Sequence, residues 1–173
     1  RGCEPRWHVA SRAAADMSRI EELTREIASH AQRKQLSSAL SVYDTIKREG
    51  LRPSSYTFSA LINAHVTSGK TEAAQALLAE MVAAGFAPNT VVYTTLLKGH
   101  CAAGDLAAAR DVLEDMARQT PPVRPDARTL NTYMRGCVRV GDLAAARWAF
   151  GMLDGAWRLA PSEAATVAHG RLL

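Results

Sequence analysis

The chain has 173 residues, 47% apolar and 22% charged, with 21 basic side chains, 17 acidic ones and a formal charge of +4. That balance excludes disorder for the bulk of the chain. No apolar run approaches the roughly 18 residues of a membrane-spanning helix. The mild basic excess suits a nucleic-acid partner without requiring one. Half of it (4 − 2 = +2) lies in residues 1–19, where Arg1, Arg6, Arg12 and Arg19 stand against Glu4 and Asp16. This stretch is expected to be a basic extension or a helical cap. The chain begins at Arg1 and not at a methionine, so a preceding segment is expected. Residues 1–15, rich in Arg and Ala, read either as the tail of an organelle transit segment or as an arbitrary edge. Cys3, Cys101 and Cys137 are odd in number and show no CxxC spacing, which favours a reducing compartment over a disulfide framework.

In chain order, apolar periodicity and turn residues predict helices over 20–32, 36–48, 56–68, 71–84, 91–103, 105–118, 128–140 and 142–154. Phe58, Leu61, Ile62 and His65 recur three or four apart and form one helical face. Gly69 ends that helix, because glycine takes the positive φ needed past a C-terminus. Ala73, Leu77, Leu78 and Met81 form the next face, closed by Gly85 and Pro88. Leu61, Leu77, Met81 and Leu96 are expected to be buried between helices.

The pattern repeats. Phe58-Ser59-Ala60-Leu61-Ile62 overlies Tyr93-Thr94-Thr95-Leu96-Leu97 at an offset of 35, which also carries His65 to His100, Gly69 to Gly104 and Pro53 to Pro88. A shift of 37 carries Gly104-Asp105-Leu106 to Gly141-Asp142-Leu143. The units are therefore 20–54, 55–89, 90–126 and 127–162, with 163–173 as the possible start of a fifth. Hairpins of two helices cannot bury their apolar faces alone and must stack. The expected fold is all-α: an α-α superhelix, or solenoid, of stacked helix-turn-helix units. Lys34 stands where its sister units have the turn glycine, and Trp157 replaces a glycine in the fourth unit. Degenerate outer units suit terminal caps.

Gly85-Phe86-Ala87-Pro88-Asn89 followed by Thr90-Val91-Val92-Tyr93-Thr94-Thr95-Leu96-Leu97-Lys98-Gly99 closely resembles the pentatricopeptide repeat family. Gly104-Asp105-Leu106-Ala107-Ala108-Ala109 and Glu114-Asp115-Met116 do so as well. The tetratricopeptide pattern of the first helix is absent. The resemblance implies a protein of mitochondria or chloroplasts that binds single-stranded RNA, one base per unit. In such units the fifth and last residues read the base and the second packs on its ring. Carried over, Ser59 with Asn89 resembles an adenine reader and Thr94 with Asp126 a guanine reader. Asn131 with Ser162 resembles a cytosine reader, whereas Thr24 with Ser54 matches no strong pair. The ring-packing positions are Glu21, Tyr56, Val91 and Arg128. Family members often carry a backbone-binding lysine at the thirteenth residue; here Gln32, Thr67, Ala102 and Arg139 stand there, and only Arg139 is basic. Lys98 and Arg135, four residues earlier in their helices, supplement it. Capping alone is the competing reading for Ser54, Asn89 and Asp126, each just before a helix.

His30, His65, His100 and Cys137 occupy equivalent positions in successive units. Helices packed about 8–10 Å apart cannot readily share a metal with ligands at about 2 Å, so inter-unit packing is expected there. No nucleophile elbow, HExxH or glycine-rich phosphate loop occurs. The expectation is a protein without catalytic residues or cofactors and without a membrane partner, acting in transcript processing, stability or translation. The alternative is a structural subunit of a large assembly such as an organellar ribosome, in contact with rRNA and proteins. A third is the recognition part of a longer enzyme.

Overall fold

The computed structural model describes the backbone of residues 6–154 and the side chains of residues 14–152. Among the described residues there are eight helices: α1 (Arg6–Gln32), α2 (Leu36–Arg48), α3 (Ser55–Thr67), α4 (Thr71–Ala83), α5 (Thr90–Ala103), α6 (Leu106–Arg118), α7 (Ala127–Val140) and α8 (Leu143–Asp154). No strand occurs among the described residues. From α2 onward every helix end lies within one residue of the expected position.

The first helix departs from expectation. It starts at Arg6, not near residue 20, and runs unbroken for 27 residues, roughly 40 Å at 1.5 Å per residue. The cause is local: Ala13, Ala14, Ala15 and Met17 are strong helix formers and no Gly or Pro separates them from the repeat. Residues Ala14–Arg19 are all exposed, so propensity and not packing extends the helix.

The first helices of the units, α1, α3, α5 and α7, pack successively on one another. Each second helix packs on its own first helix and more lightly on the next one. Close contact along only one layer makes that layer the inside of the curve. Small residues permit the approach. A Cβ on Gly99 would stand 2.7 Å from the Thr71 side chain, and one on Gly136 would stand 2.8 Å from Cys101 Sγ. Both are the tenth residue of their unit, where α3 has the fully buried Ala64.

The core is nearly continuous. Ile27, Ala39, Ile46 and Leu61 fill the first interface, and Phe58, Ile62, Leu96, Leu97, Met116 and Tyr133 fill those that follow. Leu61, Met81 and Leu96 are buried as expected. Leu77 is only half-buried, a correction to the sequence reading. The buried stripe of α4 runs through Ala74 and Met81, and Leu77 flanks it, touching both core clusters.

Turn chemistry sets the register. Gly104 and Gly141 take φ of 82° and 79° at the ends of α5 and α7. Lys34, at the matching turn, is forced to φ 58°, a conformation costing an ordinary side chain about 1–2 kcal/mol.

Candidate nucleic-acid interface

The inner layer displays the first turns of α3, α5 and α7 side by side. Each begins at a capped N-terminus. Ser54 Oγ accepts from the Thr57 amide, Asn89 Oδ1 from the Val92 amide at 3.1 Å, and Asp126 Oδ1 from the Thr129 amide at 2.7 Å. The last residue of each of the first three units is thus an N-cap, a role that stabilises a helix by about 1 kcal/mol. Two of these side chains, Ser54 and Asp126, are also held near the fifth residue of their own unit, through the residue three places after the cap.

The second positions stand out from the surface. Tyr56 is 63% exposed and Val91 67%, and Glu21 and Arg128 are exposed as well. An apolar side chain held in solvent at a regular place in successive units offers a surface on which a planar ring can lie.

Thr94 and Asp126 are brought together through a residue that the sequence reading passed over. Thr129 Oγ1 lies 2.7 Å from Asp126 Oδ1 and 2.7 Å from Thr94 Oγ1. Thr57 does the same one interface earlier, 3.0 Å from Ser54 Oγ and 2.8 Å from Thr24 Oγ1. The available signal was a threonine three residues after two of the three caps, Ser54 and Asp126, facing a threonine at the fifth position of the preceding unit. At the middle interface Val92 occupies the bridging place. Ser59 instead donates its hydroxyl to the Ser55 carbonyl at 2.9 Å. Thr24 is only 1% exposed, so it faces the bridge and not the solvent. Asn131 is half-buried and engaged with its surroundings. Ser162, Trp157 and the expected opening of a fifth unit lie outside the described residues.

Val91, Thr94, Lys98, Asp126, Arg128 and Arg135 line one open cleft of about 450 Å³ between α5 and α7, with Asn63 of α3 at its edge. Lys98, Arg135 and Arg139 line a second cleft of about 250 Å³ directly beside it. Lys98, Arg128 and Arg135 are exposed and form no ion pair with a carboxylate among the described residues. Arg139 is exposed too, but its guanidinium donates to the Cys101 carbonyl. Thr67, the equivalent residue of α3, has its nearest acceptor in its own helix, the Asn63 carbonyl at 2.8 Å, with the Ala31 carbonyl of α1 at 3.2 Å. At Arg139 the thirteenth position ties α7 to the end of α5, a structural duty the sequence reading did not assign to it.

Burial pushes the Asp126 carboxyl up, but the Thr129 hydroxyl and amide outweigh it, helped by Arg128, and hold the group below its ordinary range. It is a carboxylate at neutral pH, and so only an acceptor. The Cys101 and Cys137 thiols go the other way: burial pushes them up to about 11 and about 12, which makes them inert packing groups. His65 and His100 are buried beside the helix ends, while His30 is half-buried and meets Gln35 at 3.0 Å. Among the described residues no group of three or more His, Cys, Asp or Glu side chains is placed to hold a metal ion. No helix there is long and apolar enough to cross a membrane.

A family model described as the pentacotripeptide-repeat region of PRORP matches residues 11–169. The chain belongs to this pentatricopeptide-repeat family. Solved structures share the fold. Maize PPR10 superposes with a TM-score of 0.78 at 24% identity, over 87% of this chain and 21% of that one. PPR10 in complex with an 18-nt psaJ RNA element gives 0.74 at 24% identity, over 87% of this chain and 22% of that one. The PPR domain of Arabidopsis thaliana protein-only RNase P 1, in complex with tRNA, gives 0.72 at 19% identity, over 88% of this chain and 79% of that one. This pentatricopeptide-repeat chain thus spans about a fifth of the length of PPR10. No curated protein sequence matches it.

Proposed function

We propose that this pentatricopeptide-repeat chain binds single-stranded RNA along the inner layer of its first helices and acts on transcripts without catalysing a reaction itself. Val91 stacks under a base, Thr94 and Asp126 meet its edge, and Lys98, Arg128 and Arg135 neutralise phosphates. One observation carries the reading: a reading pair, an exposed apolar platform and three cations without ion pairs line a single cleft. An exposed platform and basic track together are what a strand with splayed bases requires. The crystal structures of PPR10 and of the RNase P 1 PPR domain each contain RNA, which supports the same partner class here. The chain is proposed to work in mitochondria or chloroplasts, in processing, stability or translation of a transcript. Arabidopsis PRORP2 is described as nuclear, so localisation of a fluorescent fusion is the direct check on that part.

The experiment is an NMR titration of the labelled chain with short single-stranded RNA at low salt. Shifts concentrated at Val91, Thr94, Lys98, Asp126 and Arg135 are expected. Shifts confined to α2, α4 and α6 would refute the interface.

A second reading has one specific observation behind it. Lys98, Arg128, Arg135 and Arg139 lie in the third and fourth units and Arg25 lines the first-unit cleft, whereas α3 contributes no cation to this face and Thr24 is buried. A face prepared over half its length also suits a structural subunit of a large assembly, such as an organellar ribosome, that touches rRNA and proteins. Crosslinking in the native organelle separates the two: one discrete transcript supports the first reading, rRNA with ribosomal proteins the second.

A further inference from the structure

We propose that Thr129 is a positioning residue for the reading pair of the preceding unit, clamping Thr94 and Asp126 so that together they present two hydrogen-bond acceptors to a base edge with two donors. The inference rests on the RNA reading above and specifies its chemistry. A base edge with two adjacent donors is that of guanine, through N1–H and the N2 amino group.

The assignment follows from counting protons. Asp126 is a carboxylate, so the 2.7 Å contact with Thr129 Oγ1 uses the threonine's only hydroxyl proton. The 2.7 Å contact between Thr94 and Thr129 then needs the proton of Thr94. A second acceptor, the Thr90 carbonyl, also lies 2.7 Å from Thr94 Oγ1. If Thr90 takes it, the Thr129 proton turns to Thr94 and Asp126 keeps the Thr129 amide; in either arrangement the Thr94 proton is consumed within the protein, and Thr94 offers only lone pairs to the cleft. On Asp126 both bonds from Thr129 fall on Oδ1. Oδ2 is left for a ligand, on a side chain that lines the cleft. Two acceptors, held at a fixed separation by one shared hydroxyl, repel the lone pair of adenine N1 and accept the donors of guanine.

The neighbouring interfaces show that the clamp is a separable device. Thr57 makes the same bridge between Thr24 and Ser54. Val92 is equally buried at the middle interface and cannot bridge, yet Asn89 still caps α5 through the Val92 amide. Valine at this position is therefore compatible with both the cap and the packing.

The test compares the full chain with Thr129→Val and Thr129→Ser. Each is titrated by NMR, at one low salt concentration, with two short RNAs that differ by guanine or adenine at a single position. The unaltered chain should prefer guanine by about tenfold, the scale of a good base contact. Thr129→Val should reduce the preference to about threefold or less, and Thr129→Ser should keep it. Independently of RNA, the Asp126 carboxyl should titrate at higher pH in Thr129→Val, a change that loss of packing alone does not produce. A guanine preference indifferent to Thr129→Val, or an Asp126 titration that does not move, overturns this inference alone. Binding without a base preference in the unaltered chain likewise overturns this inference, whereas no binding of either RNA, with the Asp126 titration still shifting in the variant, overturns the RNA reading that it specifies.

Discussion

The cation track makes the most direct quantitative prediction. Lys98, Arg128 and Arg135 surround the reading cleft without ion-pair partners among the described residues. Each phosphate neutralised on a single strand releases counterions worth a slope of about −0.7 in log K against log salt. Three contacts give a slope of about −2, so raising salt from about 50 to about 200 mM should weaken binding by about 20-fold. Lys98→Ala with Arg135→Ala should flatten the slope to about −0.7. Asn63, at the edge of the same cleft, holds in α3 the place of Lys98 and Arg135 in α5 and α7. Asn63→Lys should extend the track by one unit and steepen the slope to about −2.8. Arg110 and Arg118 on α6 are paired with Glu114 at 3.0 and 3.1 Å, and their removal should leave the slope unchanged. Fluorescence anisotropy with a labelled oligonucleotide over a salt series reads all four proteins. If the inner-face variants keep the original slope, or the α6 control flattens as much as they do, the assignment of this face to phosphate is wrong.

Other consequences concern the scaffold. Leu96 is fully buried, so Leu96→Ala should cost about 2–5 kcal/mol in urea unfolding. An unmoved midpoint would contradict the packing, and half-buried Leu77→Ala should cost clearly less. Lys34→Gly should stabilise the chain by about 0.5–1 kcal/mol, because it relieves a left-handed lysine at φ 58°; a loss of stability would show that the turn is not strained. Burial, with Lys70 nearby, holds the His65 imidazole below its ordinary range. The folded chain thus keeps His65 neutral where the unfolded chain protonates it. Its stabilising contribution is complete above about pH 6.5 and is lost as pH falls from there through the lower folded value. Unfolding at about pH 7.5 and about pH 5.5 should show a smaller pH effect in His65→Phe than in the original chain, and an equal effect would refute the assignment.

The fold was legible because its signals are local and repeated. An offset of 35 aligned apolar faces, turn glycines and caps at once, and each pointed to the same hairpin. The error at α1 arose where the repeat stops and only propensity remains, and alignment with sister units is silent about a helix that overruns its unit. Leu77 was misjudged because two leucines in succession on α4 straddle the stripe through Ala74 and Met81, and both end half-buried, which periodicity alone does not show. Within the site, Thr94 and Asp126 were read from position, but Thr129 was not. Its function arises from a contact across two hairpins, and a threonine at the third position of a helix looks in sequence like any other first-turn residue. Arg139 was similarly ambiguous, since its bond to the Cys101 carbonyl depends on how closely α7 approaches α5.

Capping and base reading, which compete as explanations of the last position when only the sequence is known, are compatible when the cap has two polar atoms. Ser54 has one oxygen, committed to the Thr57 amide and hydroxyl, and its fifth-position partner Thr24 is buried behind it. That pair has little left to offer a base. Asn89 gives Oδ1 to the Val92 amide, which fixes the amide orientation and leaves Nδ2 as a donor. Asp126 gives Oδ1 to Thr129 and keeps Oδ2 as an acceptor beside Thr94, which matches guanine. The helix start therefore uses one atom of each two-headed cap and aims the other. Under the proposed RNA reading, the bond that stabilises the helix also orients the atom meant for a base, so replacing Asn89 or Asp126 should disturb fold and recognition together. Replacing the bridging residue at position 129 separates the two effects.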